Sequence, residues 1–143
     1  MQFSATWQDV LAGRKTMTRR IVSERHTALL APDTAPCASH TLPDQTPVYA
    51  VLASGRLRYA VGRSLAVQPG RSKHAVGRVQ ITAIRYCARS GDISEDDARA
   101  EGFETAAEFC EVYGRLNGAV ALEKACWALT FVLIPGGLET RRY

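Results

Sequence analysis

The sequence has no run of about 20 apolar residues such as a membrane-spanning helix needs, so we expect no membrane segment. Its four cysteines stand apart, without the paired spacing of a zinc site or a disulfide framework, at Cys37, Cys87, Cys110 and Cys126. Residues 1–13 lack the basic start and the apolar stretch of a signal peptide. These absences predict a cytoplasmic protein with free thiols.

Motifs for common cofactors are also missing. The chain contains no Gly-x-Gly-x-x-Gly, no Walker A sequence and no Gly-x-Ser-x-Gly. Cys37 and His40, with His26 upstream, are residue types that bind metals, but they have no second pair nearby. We therefore predict no metal site and no cofactor.

Acidic residues are scarce in the first part of the chain. Residues 1–91 carry 13 basic and only four acidic residues, a net charge of +9, whereas residues 92–143 carry five basic and ten acidic residues, a net charge of −5. This asymmetry favours a basic surface that faces an anionic partner, with nucleic acid as the first candidate. The alternative is a solvated basic face in an arginine-rich chain, since 15 of the 18 cations are arginine.

The length and composition predict one domain over residues 1–143. A chain of 143 residues, 46% of them hydrophobic, can bury a core of its own. Four of the six prolines fall within residues 23–47, among Ser, Thr, Asp and Ala. This composition is typical of loops, so we predict that the Pro-rich insert at about 23–47 is a long loop or a lid rather than a packed element.

Three short helices are predicted from capping signals, in which a Ser or Thr is followed three positions later by an acidic residue. They run over about residues 7–12 after Thr6, from Ser94 to Gly102, and from Thr105 to near Gly118. The other periodic segments read as strands, at residues 16–22, 48–52, 57–59, 64–68, 76–87 and 126–134.

Two of these strands have distinctive patterns. Residues 126–134 are apolar on both faces, which predicts a central strand buried on both sides. Ile84 breaks the alternation within residues 76–87, which indicates a bulge. We predict an α+β domain, with a small mixed or barrel-like sheet and about three short helices.

The segment from Gly13 to Arg20 is the densest in chemistry-bearing residues. If residues 16–21 form a strand, Thr16, Thr18 and Arg20 share one face, and Lys15 lies in the turn just before it. A Thr hydroxyl becomes a nucleophile when a base takes its proton, and Lys15 can be that base if Arg14, Arg19 and Arg20 lower its pKa. The alternative is that these Arg and Thr residues contact nucleic-acid phosphates.

Glu101 is the second unusual residue. It lies in the last turn of its predicted helix, where the helix dipole disfavours a carboxylate, so it can titrate high and transfer protons. The alternative is an ordinary solvated helix end. Tyr59 can stack on a base, with a place in the core as its alternative.

Four segments resemble the ASCH domain family, a PUA-like β-barrel group: "DVLAGRKTMTRR", "YAVGRSLAVQPG", "GRVQITAIR" and "ISEDDARAEGF". The similarity covers about residues 3–21 and 57–134. The resemblance implies a six-stranded barrel with a cleft, and RNA or nucleotide binding as in many members.

Some small bacterial members of this family are amidohydrolases that remove the acetyl group from N(4)-acetylcytidine. Their catalytic Lys, Thr and Glu match Lys15, Thr18 and Glu101 in this sequence. The resemblance implies Thr18 as nucleophile, Lys15 as its base, Glu101 as the residue that passes a proton to the leaving amine, and a cation such as Arg20 at the oxyanion. The chain departs from these enzymes in its insert at 23–56, and in having Gly62-Arg63 where many members have Asp after the Gly.

We therefore predict a domain that binds RNA or a modified nucleoside, with amidohydrolase activity as the leading catalytic hypothesis. One alternative is a non-catalytic RNA-binding module, and another is a ribonuclease that uses the same Lys, Thr and Glu. The residues predicted to bind substrate or nucleic acid are Arg14, Thr16, Arg19, Arg20, Arg56, Arg58, Tyr59 and Arg63.

Overall fold

Strands account for most of the regular structure. The computed structural model describes Met1, Phe3 and residues 6–135, so residues 136–143 of the predicted domain lie outside it. The helices are α1 (Trp7–Leu11), α2 (Glu95–Ala100) and α3 (Ala106–Asn117), with short 3-10 helices at Ser39–Thr41 and Ala119–Glu123. The strands are β1 (Met17–Ile21), β2 (His26–Leu29), β3 (Cys37–Ala38), β4 (Thr46–Val48), β5 (Ala50–Ala53), β6 (Arg56–Ala60), β7 (Ser64–Val67), β8 (Gly77–Cys87) and β9 (Cys126–Leu133). Of the helices described, none has the length and apolar character needed to cross a membrane.

The described strands form two sheets that together make a strongly curled half-barrel. One sheet has the order β1-β9-β8-β4, with β7 also paired to β8, and the other has the order β3-β2-β5-β6. Every described strand pairing is antiparallel. The chain passes between the sheets four times, at residues 22–25, at residues 39–45, at Tyr49 and at residues 61–63. The predicted α+β class, with a barrel-like sheet and three short helices, is confirmed.

The Pro-rich insert is not a loop or a lid, which corrects the prediction for residues 23–47. It supplies β2, β3 and β4; β2 pairs with β5, and β4 pairs with β8. Ala28 of β2 is fully buried in the main core. The prolines are compatible with this because Pro32, Pro36 and Pro43 lie between the strands, and Pro47 lies on the edge strand β4, where a missing N–H is tolerated. Without these three strands, six described strands would remain, which is the number that the resemblance implies.

The predicted helix caps are confirmed at two of three positions. The Ser94 hydroxyl accepts a hydrogen bond from the Asp97 backbone N–H (3.0 Å), and the Thr105 hydroxyl accepts one from the Glu108 N–H (3.1 Å). Thr6 makes no such side-chain bond, so the predicted cap of α1 is wrong. That helix is held by its backbone hydrogen bonds and by the buried Val10.

Strand β9 is the central strand that the sequence predicts. It lies between β1 and β8, and the side chains of Cys126, Trp127, Ala128 and Leu129 are all buried. The bulge predicted in β8 is also present, since the register with β9 shifts between Ile81 and Ala83. β8 therefore bends and pairs with β7 through its first half and with β4 through its second half.

A hydrogen bond between His26 and Trp127 ties the insert to the central strand. The indole N–H of Trp127 donates to His26 Nδ1 (2.9 Å), and the Ser23 backbone N–H donates to the same nitrogen (3.1 Å). Nδ1 is therefore an acceptor, and the neutral ring carries its proton on Nε2. Burial, with smaller contributions from Arg58 and Arg25, lowers the pKa of His26.

We expect the stability of the protein to fall in mild acid because of His26. A histidine whose pKa is lowered by folding contributes stability above its ordinary pKa of about 6.5, and this contribution is lost as the pH falls below that value. The melting temperature should therefore decrease between about pH 7.5 and about pH 5.5. His26→Asn, whose side-chain oxygen can still accept a hydrogen bond but does not titrate, should flatten this decrease. The exposed His40→Asn is the control and should keep it; equal slopes in wild type and His26→Asn would contradict the assignment.

Candidate active site

A cavity of about 630 Å³ opens between β1, the end of α2 and one face of α3. Its size lies within the usual range for small-molecule sites. The three residues predicted to be catalytic, Lys15, Thr18 and Glu101, all line it. The other lining residues are Met1, Phe3, Thr6, Arg19, Arg20, Ile21, Arg58, Phe103, Phe109, Val112, Tyr113, Leu116 and Asn117.

The turn between α1 and β1 places Lys15 and Thr18. The backbone N–H of Lys15 donates to the Asp9 carbonyl at the preceding helix (3.1 Å). The next N–H, of Thr16, donates to the Ala100 carbonyl at the end of α2 (2.7 Å). β1 then begins at once, so Lys15 and Thr18 lie on one short segment that is anchored to two helices.

The C-terminal end of α2 places Glu101. The Phe103 N–H donates to the Ala98 carbonyl and the Gly102 N–H to the Arg99 carbonyl, which is a Schellman motif. Gly102 has φ of +96°, a left-handed conformation that a residue with a Cβ rarely adopts. The chain therefore turns sharply after Glu101, whose backbone stays next to Lys15.

Lys15 and Glu101 form a buried ion pair. Lys15 Nζ lies 3.0 Å from Glu101 Oε1 and also donates to the Glu101 carbonyl (2.9 Å). Their side chains are only 5% and 4% exposed. Burial lowers the pKa of Lys15 against the opposing effect of Glu101, and burial raises the pKa of Glu101 against the opposing effect of Lys15. Both shifts favour the neutral forms, an amine and a carboxylic acid joined by a hydrogen bond.

Arg20 binds the hydroxyl of Thr18. Its guanidinium donates a hydrogen bond to Thr18 Oγ1 (2.8 Å), and it lies 5.6 Å from the centre of the Phe3 ring. Thr18 itself is only 3% exposed. A guanidinium in this position stabilises negative charge on Oγ1 when the hydroxyl loses its proton.

One oxygen of Glu101 is left for a ligand. Among the described residues, two buried side-chain atoms have no hydrogen-bond partner, namely Glu101 Oε2 and Arg19 Nε. Oε1 is held by Lys15, so the carboxyl group is fixed while Oε2 remains able to bind a donor. A molecule in the cavity that presents an N–H could satisfy it.

The structure brings together only some of the predicted binding residues. Arg19, Arg20 and Arg58 line the cavity, and the Arg58 guanidinium lies 4.8 Å from the centre of the Tyr59 ring. The remaining exposed positions lie outside the cavity wall: Arg14, Thr16, Arg56 and Arg63. Arg14 forms an ion pair with Asp9 (2.9 Å), and the backbone of Thr16 is bound to α2 and β9.

Two of the predicted binding residues belong to the interior instead. Arg19 is 3% exposed, and its guanidinium donates to the Ser90 carbonyl (3.1 Å) and the Cys126 sulfur (3.6 Å). Tyr59 is 2% exposed and belongs to the main core. The Arg19 guanidinium is held by Ser90, and Tyr59 does not line the cavity, so the structure places neither where it would meet a phosphate or a base, which differs from the expectation for both residues.

The apolar wall of the cavity was not predicted. Phe103 contacts Phe109 edge to face (5.7 Å between centroids), and Phe109 stacks on Tyr113 (5.1 Å). Val112 and Leu116 continue the wall along α3, and Leu116 is 68% exposed at its end. The helical spacing of these residues in the sequence indicated an apolar face, but the pattern did not show that a cavity adjoins it.

The possible metal ligands do not come together. Within Met1, Phe3 and residues 6–135, no group of three or more His, Cys, Asp or Glu side chains could hold a metal ion. His26 Nδ1 is occupied by its two hydrogen bonds. The cavity itself is lined by an amine, a carboxyl group, a hydroxyl and guanidinium groups.

We expect Lys15→Met to be much less stable than the wild type, and the double variant Lys15→Met/Glu101→Leu to be more stable than Lys15→Met. Removing Lys15 alone leaves a buried carboxyl without its partner, which should cost about 3 to 5 kcal/mol in free energy of unfolding. Replacing both residues by apolar ones of similar size should restore most of that stability. Urea denaturation measures both effects.

The exposed pair of Arg14 and Asp9 provides the control, because Arg14→Met should cost no more than about 1 kcal/mol. If Lys15→Met cost as little as Arg14→Met, the pair of Lys15 and Glu101 would not be buried in solution.

Two solved bacterial structures share this architecture. Protein EF3133 from Enterococcus faecalis V583, under the family model DUF984, has a TM-score of 0.58 and 16% identity over 90% of this chain and 66% of its own. An ASCH domain from Lactobacillus crispatus JV V101 has a TM-score of 0.56 and 15% identity over 89% of this chain and 69% of its own. The chain thus spans slightly less than two thirds of the length of the first protein.

No family model and no curated protein matches the sequence. The likeness to the two solved structures concerns the fold, and the resemblance noted in the sequence is confirmed at that level. The chain has the ASCH fold, a PUA-like half-barrel.

Proposed function

We propose that the protein binds a modified nucleoside, or RNA that contains one, in the cavity and hydrolyses an amide on its base. The observation that carries the proposal is the buried pair of Lys15 and Glu101, which lines one cavity together with the Thr18 hydroxyl. A base, an acid and a nucleophile are thereby available to one bound molecule. N(4)-acetylcytidine is the substrate to test first, because the matching trio of the ASCH amidohydrolases acts on it.

In the first half of the proposed reaction, Thr18 attacks the acetyl carbonyl carbon. Lys15, as the neutral amine, takes the hydroxyl proton while the new C–O bond forms and the carbonyl π electrons move onto the acetyl oxygen. Arg20, which binds Thr18 Oγ1 in the free protein, is the cation that stabilises this oxyanion. The C–N bond then breaks, and the leaving exocyclic nitrogen receives a proton from the Glu101 carboxylic acid. The products of this half are cytidine and an acetyl ester on Thr18.

In the second half, water hydrolyses the ester. Glu101, now a carboxylate, takes a proton from the water as its oxygen attacks the carbonyl carbon. The ester bond breaks, and the Thr18 oxygen regains its proton from the Lys15 ammonium. Acetic acid leaves and ionises to acetate in water, and Lys15 and Glu101 return to their starting protonation states.

The cavity walls suit such a substrate. Phe103 and its aromatic neighbours offer an apolar surface to a planar base. Glu101 Oε2 has no hydrogen-bond partner among the described residues, so the carboxylic acid can donate from this oxygen to the exocyclic nitrogen as the C–N bond breaks. Arg58 lies where it can bind a phosphate or a sugar oxygen, so a nucleoside and an RNA remain alternative forms of the substrate.

We expect the purified protein to release cytidine and acetate from N(4)-acetylcytidine. Thr18→Val should lower kcat by at least about a hundredfold because the nucleophile is lost, and Lys15→Met should do the same because the base is lost. Thr18→Ser should retain part of the activity. Chromatography of the nucleoside products measures the rates, and mass spectrometry of the wild-type protein quenched during turnover should detect the acetyl ester on Thr18.

Two variants serve as controls for these losses. Thr16→Val alters an exposed threonine outside the cavity, and Lys73→Ala an exposed lysine. Both should keep the wild-type rate. A folded wild-type protein with no amidohydrolase turnover would refute the proposal, and RNA cleavage that requires Glu101 would favour the ribonuclease alternative.

A second candidate function is RNA binding without catalysis. It is favoured by Arg56, Arg58 and Arg63, which are exposed on β6 and the turn that follows it. Among the residues that the structure describes, none of the three forms an ion pair with an acidic side chain. Cations of this kind are available to phosphates.

We expect binding of single-stranded RNA to weaken as the salt concentration rises. Each of Arg56→Ala, Arg58→Ala and Arg63→Ala should reduce the slope of log K against log salt by about 0.7 if that arginine contacts a phosphate. Arg99→Ala is the control, because its guanidinium already pairs with Asp96. Fluorescence anisotropy at several salt concentrations measures the slope; binding that is absent or independent of salt would exclude this candidate.

A further inference from the structure

A second ion pair joins β1 to α2 beside the first one. Arg19, the neighbour of Thr18 on β1, lies 3.5 Å from Asp97 through its NH2 group and Oδ2 of the carboxylate. The Arg19 side chain is 1% exposed, and its NH1 group is held by the Ser90 carbonyl. Arg85 of β8 binds the same Asp97 oxygen from the outer side. The carboxylate of Asp97 is therefore fixed between two strands.

Asp97 lies one helical turn before Glu101. The Glu101 N–H donates to the Asp97 carbonyl (2.9 Å), so a movement of Asp97 is transmitted directly to Glu101. The backbone bond from Thr16 to Ala100 holds the end of α2 but does not by itself fix the rotation of the helix about its axis. The contacts of Asp97 with Arg19 and Arg85 supply a second point of attachment, in addition to the buried Ala98 and the hydrogen bond from the Ala106 N–H to the Glu95 carboxylate.

We infer that Asp97, held by Arg19, is a positioning residue that fixes the Glu101 carboxyl against Lys15 and keeps water out of the pair. The inference rests on the proposed function for its effect on catalysis, but its effect on Lys15 does not depend on any substrate. Neither Asp97 nor Arg19 has to touch the substrate for this role.

The charged groups that face Lys15 and Glu101 bear on how the pKa of Lys15 changes when Asp97 is lost. Lys15 is faced by Glu101 of α2, Arg20 of β1 and Asp9 of α1. Glu101 is faced by Lys15, Arg19 and Arg20, and Tyr113 approaches it from α3.

Without Asp97, Glu101 is held less firmly against Lys15 and water reaches the pair, which weakens the burial that is the largest cause of the lowered pKa of Lys15. A carboxylate beside Lys15, together with water that enters the loosened site, favours the ammonium form of the lysine. Loss of Asp97 should therefore raise the pKa of Lys15.

The chain offers an internal standard for testing this. It has only three lysines, and Lys73 and Lys124 are both exposed. Reductive methylation of the full-length protein at a series of pH values, quantified for each lysine by mass spectrometry, gives a reactivity midpoint for Lys15 and two reference midpoints in the same molecule. The variants are Asp97→Asn, the conservative Asp97→Glu, and the matched control Asp96→Asn on the exposed side of α2.

Asp97→Asn should move the Lys15 midpoint upward by about one pH unit without moving the other two. Asp97→Glu should restore most of the wild-type midpoint, and Asp96→Asn should leave it unchanged. With N(4)-acetylcytidine, Asp97→Asn should lower kcat by about ten- to a hundredfold and change KM by less than about twofold. If Asp97→Asn does not fold, Arg19→Lys, which keeps the charge but loses the fork, should move the midpoint in the same direction.

The inference is overturned if Asp97→Asn lowers the melting temperature but leaves the Lys15 midpoint where it is, or if Asp96→Asn moves it equally. A shifted midpoint in a protein that does not hydrolyse the substrate would refute the proposed function and support the positioning role. Hydrolysis of the substrate with no shift in the Lys15 midpoint would support the proposed function and refute the positioning role.

Discussion

The buried pair of Lys15 and Glu101 is the interaction on which the site depends. Taking an amine and a carboxylate out of water is costly, and such pairs are often no better for stability than apolar residues of the same volume. The local structure is nevertheless arranged around this pair. The Schellman motif at Gly102 turns the chain after Glu101, and the backbone bond from Thr16 to Ala100 brings the Lys15 segment to it. A buried ion pair that costs free energy of folding, and that several backbone hydrogen bonds hold in place, indicates a catalytic role rather than a stabilising one.

The charge asymmetry of the sequence has its explanation in the same place. Lys15 and Arg19 belong to the basic first part of the chain, and Glu101 and Asp97 belong to the acidic part that follows. The fold joins the two parts through two ion pairs between β1 and α2. The basic first part and the acidic second part of the chain therefore meet at one wall of the cavity, and Arg56, Arg58 and Arg63 are exposed on β6 and in the turn after it. The basic residues of the first part of the chain therefore contribute to the cavity as well as to the exposed surface.

Local signals in the sequence were sufficient for the elements that local contacts decide. The caps at Ser94 and Thr105 were predictable because each hydrogen bond spans three residues, and β9 was predictable because both of its faces are apolar. The strands of the Pro-rich insert could not be predicted in this way. β2 is stabilised by its pairing with β5 and by the burial of Ala28, and a proline-rich composition indicates neither. Arg19 and Arg20 are adjacent in sequence and identical in type, yet only the packing of Asp97 and Ser90 assigns one of them to the interior.

The choice between catalysis and binding depends on burial rather than on charge. A module that only holds phosphates needs exposed cations, and Arg56, Arg58 and Arg63 would serve that purpose without any help from the cavity. Phosphate binding does not require the amine of Lys15, which is 5% exposed and hydrogen-bonded to the Glu101 carboxyl group. Nor does it require that this amine lie in the same cavity as the Thr18 hydroxyl, which the Arg20 guanidinium binds. Folds of this kind host unrelated activities, so the likeness to solved ASCH structures does not decide the matter. The decisive property is whether the Lys15 amine exchanges its proton near neutral pH, because a lysine that stays charged can pair with Glu101 but cannot activate Thr18.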